Sequence, residues 1–326
     1  MTNIKKKIEK IGVLTSGGDA PGMNAAIRAV VRYGIYLGLE VVGIEHGYQG
    51  LLEKKFVKMN LRSVSDIIQR GGTMLKSARC AEFMAAEGVE RAAQNLRDAK
   101  IDGLVVIGGD GTFRGAKELS MKGIPTIGIP GTIDNDLPYT DFTLGFDTAV
   151  NTVLDAINKI RDTMNSHDRV SIIEVMGRHC GDIALYSGIG GGAEVIILPE
   201  HPISIEEVCE RLQEGRASGK ISGIVVLAEG AGKADSFAAE ITRRTGIVIK
   251  PVVLSHLQRG GTPSNTDRML AARWGAHAVR LLYQGTGNRL AGIKDNKIFD
   301  IDITEGLAKK KVFDRDMYNI AGVLAK

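Results

Sequence analysis

The chain has 326 residues, 44% of them apolar and 25% charged, with 42 basic residues against 38 acidic ones and a formal net charge of +4. That length allows two domains with separate cores, because a single hydrophobic core stops growing at roughly 250 to 300 residues. Charges of both signs are mixed along the chain, which excludes a basic nucleic-acid face, and the apolar run Ile11–Leu14 behind Lys5, Lys6, Lys7 and Lys10 is too short for a signal-peptide core or a membrane span. Three scattered cysteines, Cys80, Cys180 and Cys209, form neither a CxxC pair nor a metal spacing; they fit a reducing compartment, and the expected location is cytosolic.

Taken in chain order, apolar β-rich runs alternate with segments of helical period. A strand is predicted at Ile11–Thr15, then a helix at Met23–Tyr36 with Ile27, Val30, Val31 and Ile35 on one face and Arg28 and Arg32 on the other. Strand Glu40–Glu45 follows, then helix Val89–Lys100, strands Gly103–Ile107 and Thr126–Ile129, and helix Ala149–Met164. The second half reads as strands Val170–Val175 and Val195–Leu198, helix Ile205–Gly215, strands Gly223–Ala228 and Ile247–Leu254, and helix Asn265–Tyr283. Leu290–Ile293 and Lys297–Ile301 around Asp295-Asn296 read as a hairpin. This alternation predicts an α/β fold of two domains, each a largely parallel sheet flanked by helices, since continuous apolar strands are those covered on both faces. No low-complexity linker separates the two, so the boundary is expected in a short loop such as Pro138–Gly145. The string Gln-Arg-Gly-Gly-Thr occurs at Gln69–Thr73 and again at Gln258–Thr262 and reads as two separate polar loops.

Glycine is the compositional outlier, with 41 residues where a usage of roughly 7% gives about 23. Three strands run into glycine loops that carry an aspartate: Thr15-Ser16-Gly17-Gly18-Asp19, Gly108-Gly109-Asp110-Gly111-Thr112 and Gly131-Thr132-Ile133-Asp134-Asn135-Asp136. Strand carboxyl ends are where open α/β sheets bind ligands, and helix starts there present free N–H groups to phosphates. The Walker pattern is absent. Gly188–Ala193 satisfies GxGxx[G/A], but it follows a helix and precedes a strand, which excludes the dinucleotide reading. An aspartate among glycines facing polyphosphate calls for a divalent cation, so Asp110 is the candidate Mg²⁺ ligand; the alternative is a cap for a helix beginning near Phe113. Asp134 and Asp136 could share one cavity if Asn135 points away, and such a carboxylate can accept a hydroxyl proton. Arginines on loops, Arg79, Arg169, Arg178 and Arg259, are the candidate phosphate anchors.

With these loops placed, the chain resembles the bacterial ATP-dependent 6-phosphofructokinase family. The likeness rests on IGVLTSGGDAPGMNAAIR (Ile11–Arg28), VVIGGDGT (Val105–Thr112), PGTIDND (Pro130–Asp136), VMGRHCGD (Val175–Asp182) and HLQRGGTP (His256–Pro263), in the family's order and over nearly all of residues 8 to 300. The resemblance implies a kinase of glycolysis that uses MgATP and fructose 6-phosphate, an allosteric homotetramer with no nucleic-acid or membrane partner. It implies an ATP-binding large domain of residues 1–144 plus about 257–306, and a sugar-phosphate-binding small domain of 145–256 plus about 307–326. Gly18, Arg79, Cys80, Gly109, Asp110, Gly111 and Thr112 match the ATP site, with Asp110 on the metal.

Asp134 matches the catalytic base, joined in catalysis by Thr132, Arg79 and Arg178. Thr132, Ile133, Asp134, Met176, Gly177, Arg178 and Glu229 match sugar-phosphate positions, as do Lys250, His256, Leu257, Gln258 and Arg259; Arg169 matches one reaching in from a neighbouring subunit. Arg28, Arg32, Arg161, Gly192, Ala193, Glu194 and Lys220 match an effector site for ADP or phosphoenolpyruvate. Glycines at 111 and 131 match the ATP users, where pyrophosphate enzymes carry Asp and Lys. Lys250 replaces a usual arginine, Cys80 a position that is often aromatic, and Leu61 and Ser218 usual basic residues of the effector site. Lys250 leaves another ketose phosphate open as acceptor. A silent nucleotide sensor would require the loss of Asp134 or Asp110, and both are present.

Overall fold

The computed structural model describes residues 8–325, so Lys5, Lys6 and Lys7 lie outside the described residues. The chain opens on strand β1 (Lys10–Thr15), helix α1 (Met23–Tyr36) and strand β2 (Glu40–Ile44). A short helix α2 (Gly47–Leu52), strand β3 (Phe56–Met59), a 3-10 turn at Glu82–Met84 and helix α3 (Ala86–Asp98) follow. Next come β4 (Gly103–Gly108), α4 (Asp110–Met121), β5 (Thr126–Pro130) and the long helix α5 (Phe146–Asn165). A second alternating run holds β6 (Val170–Val175), α6 (Asp182–Gly190), β7 (Val195–Ile197), α7 (Ile205–Ala217), β8 (Gly223–Ala228), α8 (Ala234–Thr245) and β9 (Ile249–Val253). A 3-10 turn at Ser255–Arg259 precedes α9 (Asn265–Tyr283), the strands β10 (Arg289–Lys294) and β11 (Lys297–Asp302), and helices α10 (Ile303–Ala308) and α11 (Arg315–Leu324).

The chain divides into two compact units. The first comprises residues 8–132, 137–145 and 259–311, the second residues 133–136, 146–258 and 312–325. In the first, seven strands run in the order β11-β10-β5-β4-β1-β2-β3, parallel except for β3 and β11 at the two edges. The chain leaves β1 toward β2 on one side and later returns to β4 on the other. Strand order therefore reverses between β1 and β4, and the loops after Thr15 and Gly108 flank the crevice where such sheets hold ligands. Every residue of β4 is buried, and Leu14, Val106, Phe113 and Leu96 build a core with Tyr48 and Phe83 stacked in it, ring centroids 4.1 Å apart. Asp295 and Asn296 join β10 to β11 with φ of 49° and 61°, the two left-handed residues that a two-residue hairpin turn requires.

In the second unit four parallel strands run β7-β8-β6-β9. The reversal here falls at β6, so the loops leaving β6 and β8 are neighbours. Ile172, Val195, Val208, Val225, Leu227 and Ile241 fill the core between sheet and helices. Strand β9 ends the sheet; Lys250 and Pro251 in it are exposed. Among the described residues no helix is long and apolar enough to cross a membrane.

Several elements differ from the pattern reading. Helix α4 starts at Asp110 rather than near Phe113, α5 starts at Phe146 rather than Ala149, and β9 lacks Ile247 and Val248. The sequence pattern does not single out helices α2, α6, α8, α10 and α11 or strand β3: α2 and α10 have six residues each, α6 is apolar on nearly every side, β3 is an edge strand with two exposed residues, and α8 buries only Ala234, Ala238 and Ile241. The GxGxx[G/A] string does pass from the end of α6 toward β7, the reverse of a dinucleotide turn.

Candidate functional site

In the first unit the loop after β4 turns under Ser16. A Cβ on Gly108 would lie 2.4 Å from the Ser16 carbonyl oxygen and 2.4 Å from Thr112 Oγ1, so only glycine lets the two strand exits approach. Thr112 Oγ1 donates to Ser16 O at 3.1 Å, and the Ser16 amide donates to Ile107 O at 3.0 Å. Tyr48 secures the start of α4 by donating its hydroxyl to Thr112 O at 2.5 Å, and burial pushes that phenol far above its ordinary pKa. Thr112 thus belongs to the loop's framework as much as to its ligand face. Around Gly111 the space is open: a Cβ there would meet no atom within 4 Å.

Asp110 is the first residue of α4 and accepts no cap bond; its carboxylate pairs with Arg114 one turn on, at 2.8 Å. The capping alternative for Asp110 is therefore not what the structure shows. Gly109, the residue preceding the helix, is extended, and Gly131 donates to Gly108 O at 2.9 Å, tying the exits of β4 and β5 together. Thr132 follows, with its carbonyl accepting from Thr143 Oγ1 at 2.7 Å. Arg79 is exposed, whereas Cys80 is partly buried against the Tyr48–Phe83 cluster. Arg259 lies along the Gly18 loop, its Nη1 donating to Asp19 O at 3.1 Å.

In the second unit Asp134 is buried, its side chain only 2% exposed, and one carboxylate oxygen lies 3.3 Å from Nε of Arg178, whose side chain is 62% exposed. Asn135, with φ of 51°, sends its amide to Asp182 at 2.7 Å, so neighbouring side chains leave this loop toward different partners. Arg178 itself holds a left-handed φ of 55° at the exit of β6, a conformation that costs a non-glycine residue roughly 1 kcal/mol. Glu229 at the exit of β8 holds it there. Its Oε1 accepts from the Arg178 amide at 2.9 Å and from the Gly177 amide at 3.2 Å.

Met176 donates its amide to Gln258 Oε1 at 3.1 Å. Gln258 is fully buried and its other amide end donates to Ser255 O at 3.1 Å, so this side chain braces the loop that carries exposed His256 and Leu257. His256 Nδ1 lies 3.0 Å from Ser255 Oγ. Arg169 is half-buried just before β6, Lys250 is exposed on β9, and Ile133 is fully buried. The sequence pattern does not single out Glu174 or Asp182 as site residues. Glu174 accepts from Lys233 Nζ at 2.8 Å and from the Ala234 amide at 2.9 Å, anchoring the start of α8; an acid inside the apolar strand VSIIEV is the signal for it in the sequence.

The effector candidates fall in both units. Arg28 and Arg32 on α1 are half-buried rather than a solvated face. Arg161 Nη2 donates to Gly191 O at 2.5 Å and Gly192 O at 2.9 Å and stands 4.0 Å from Glu194, next to Ala193. Lys220 instead gives its ammonium to Ala325 O at 2.6 Å.

Glycine turns at a sheet's switch point and a buried carboxylate set against a strained arginine define an α/β protein fitted to anionic, phosphorylated ligands. The chain belongs to the phosphofructokinase family, whose model matches residues 10–282. It is 58% identical over 98% of its length to the whole of a Clostridioides difficile protein named ATP-dependent 6-phosphofructokinase, and 58% identical to one of the same name from Alkaliphilus metalliredigens, again over 98% of this chain and 100% of that one. Among solved structures it is similar to phosphofructokinase from Saccharomyces cerevisiae, with a TM-score of 0.87, 35% identity and coverage of 97% of this chain but 46% of the yeast one. A pyrophosphate-dependent phosphofructokinase from Marinobacter aquaeolei shares the fold, with a TM-score of 0.86 at 24% identity over 98% of this chain and 92% of that one.

Proposed function

We propose that this chain transfers the γ-phosphate of MgATP to the 1-hydroxyl of fructose 6-phosphate, giving fructose 1,6-bisphosphate and ADP. The observation that carries the reading is Asp134, buried against an exposed guanidinium at 3.3 Å. Its carboxylate accepts the hydroxyl proton as the oxygen attacks phosphorus, while Arg178, aided by Arg79, neutralises charge spreading over the transferring group. Glu229 keeps Arg178 in its strained backbone state, so this arginine is preorganised before substrate arrives.

The first unit is the ATP-binding domain in this reading. The open space around Gly111 leaves room for the nucleotide's phosphates, which favours ATP over pyrophosphate as donor. Asp110 fits Mg²⁺: it is a hard oxygen donor with a half-exposed side chain whose present partner, Arg114, is an exposed surface residue. When bound, that ion neutralises the phosphate charge, and Asp110 holds it. Most of the sugar-phosphate residues belong to the second unit, with Lys250 and a neighbouring subunit's Arg169 as anchors, while Thr132 and Arg259 belong to the first. Assembly as a homotetramer, control by ADP or phosphoenolpyruvate near Arg161 and Glu194, and a cytoplasmic location complete the proposal.

A coupled assay of the purified protein tests it, with fructose 6-phosphate as acceptor and MgATP or Mg-pyrophosphate as donor. Turnover with MgATP at least about a hundredfold above that with pyrophosphate is expected, given that a specific contact set discriminates by 10² or more. Turnover with pyrophosphate alone, or none with this sugar, sinks the reading.

A further inference from the structure

The two copies of Gln-Arg-Gly-Gly-Thr meet in space. A Cβ on Gly71 of the first copy would lie 2.4 Å from the carbonyl oxygen of Gly261 in the second, and 3.2 Å from its C and N atoms, so backbone rests on backbone with no room for a side chain. Both copies place their second glycine in the left-handed region, Gly72 at φ 65° and Gly261 at 93°.

The first copy is itself held fast. Asn24, buried in α1, donates through Nδ2 to Arg70 O and Gly71 O, each at 3.1 Å, and accepts from the Met74 amide at 2.7 Å. Thr73 Oγ1 lies 2.8 Å from Thr15 Oγ1 at the end of β1. The second copy carries Arg259, whose Nη1 bonds Asp19 O and lies 2.6 Å from where a Gly18 Cβ would stand.

We propose that Gln69–Thr73 is a built-in buttress for Arg259, with Gly71 and Asn24 as positioning residues. Asn24 fixes the height of Gly71, Gly71 sets the height of Gly261, and Gly261 sets where the guanidinium two residues earlier lies on the Gly18 loop. An added methyl at Gly71 meets backbone rather than a side chain that can swing away, so the second copy must move. This inference rests on the reading of Arg259 as an anchor for the sugar phosphate. Displacing such an anchor weakens binding in ground and transition states alike, which raises KM while kcat holds.

The test is a double-mutant cycle read alongside structure. Gly71→Ala is expected to raise KM for fructose 6-phosphate about tenfold with kcat within about threefold, and in an Arg259→Ala background to change KM by less than about twofold. Asn24→Asp keeps the acceptor for Met74 but turns an acceptor toward two carbonyls; it is expected to raise KM in the same direction and covers the case in which Gly71→Ala does not fold. A crystal structure of either variant is expected to show the 3.1 Å contact from Arg259 to Asp19 O lost. Arg259 found in place, or an equal KM factor with and without Arg259, overturns the buttress. A wild-type protein inactive on fructose 6-phosphate overturns the functional reading instead, because the structural readout does not depend on turnover.

Discussion

The loops of the two units solve opposite problems by opposite means. Around β1 and β4 the chain removes side chains: Gly108 lets two backbones touch, Gly71 does the same against Gly261, and Gly111 is left in open space. Around β6 and β8 it adds charged ones: Asp134 is buried against Arg178, Glu229 clamps a left-handed arginine, and Glu174 anchors the start of α8. In the proposed function the emptiness would admit a large flexible polyanion and the fixed constellation of charge would select one hydroxyl of one sugar. The donor side is therefore sensitive to added volume and the acceptor side to lost hydrogen bonds.

Asp134→Asn is the strongest way to break this contrast. It keeps the shape of the charged side but removes the proposed proton acceptor, and kcat is expected to fall by about 10³-fold or more with KM for the sugar within about tenfold. Steady-state kinetics checks it, and turnover within tenfold of wild type would take Asp134 out of the mechanism.

A pair of glycine substitutions sharpens the donor side. Gly108→Ala is expected to destabilise the fold by about 1–3 kcal/mol in denaturant titration, since the added methyl meets the Ser16 carbonyl. Gly111→Ala, in open space on a helix, is expected to be neutral or stabilising by roughly 0.5–1 kcal/mol while raising KM for ATP. Equal destabilisation by both would show that emptiness there has no ligand role.

On the acceptor side, Glu229→Met removes the acceptor shared by Gly177 and Arg178 and is expected to cost about 1–3 kcal/mol, with kcat falling as Arg178 loses its fixed backbone. Glu229→Gln, which retains one oxygen, should recover most of the stability.

The smallest effect concerns surface charge. Glu240 is held down to about 2 by hydrogen bonds from Arg243 and then Arg244. Because its folded value lies below the unfolded one, its contribution is present above the ordinary glutamate range and disappears as pH falls from about 4.5 to about 2. Melting curves of Glu240→Gln and wild type should converge at the acid end of that window and differ slightly above it.

Much of the fold was legible because α/β proteins write their period plainly. Helices Met23–Tyr36 and Asn265–Tyr283 were read to their terminal residues, and Gly223–Ala228 to its full span. Less legible are α6, apolar nearly all round, and β3, paired on one side only, together with α8 and α11, whose buried stripes are short and built largely of alanine. At the site, the glycine loops and Asp134 stand out in sequence, but the function of Glu229 as a backbone acceptor does not, because it pairs residues 51 apart. Gln258 could be named but not placed, since burial is a property of the folded chain. The duplicated pentapeptide is the plainest case. As a string it reads as two separate polar loops, and only the meeting of Gly71 with Gly261 joins them.

Pro251 in the terminal strand β9 has a consequence for life in a crowded cell. A row of unsatisfied backbone groups on a sheet margin is a template for adding foreign strands, and a proline there offers no N–H to such a visitor, while the neighbouring Lys250 adds charge. The smaller sheet is thereby guarded against fibrillar growth at its one long flank, and a valine in place of Pro251 should make heated protein turn turbid at lower concentration.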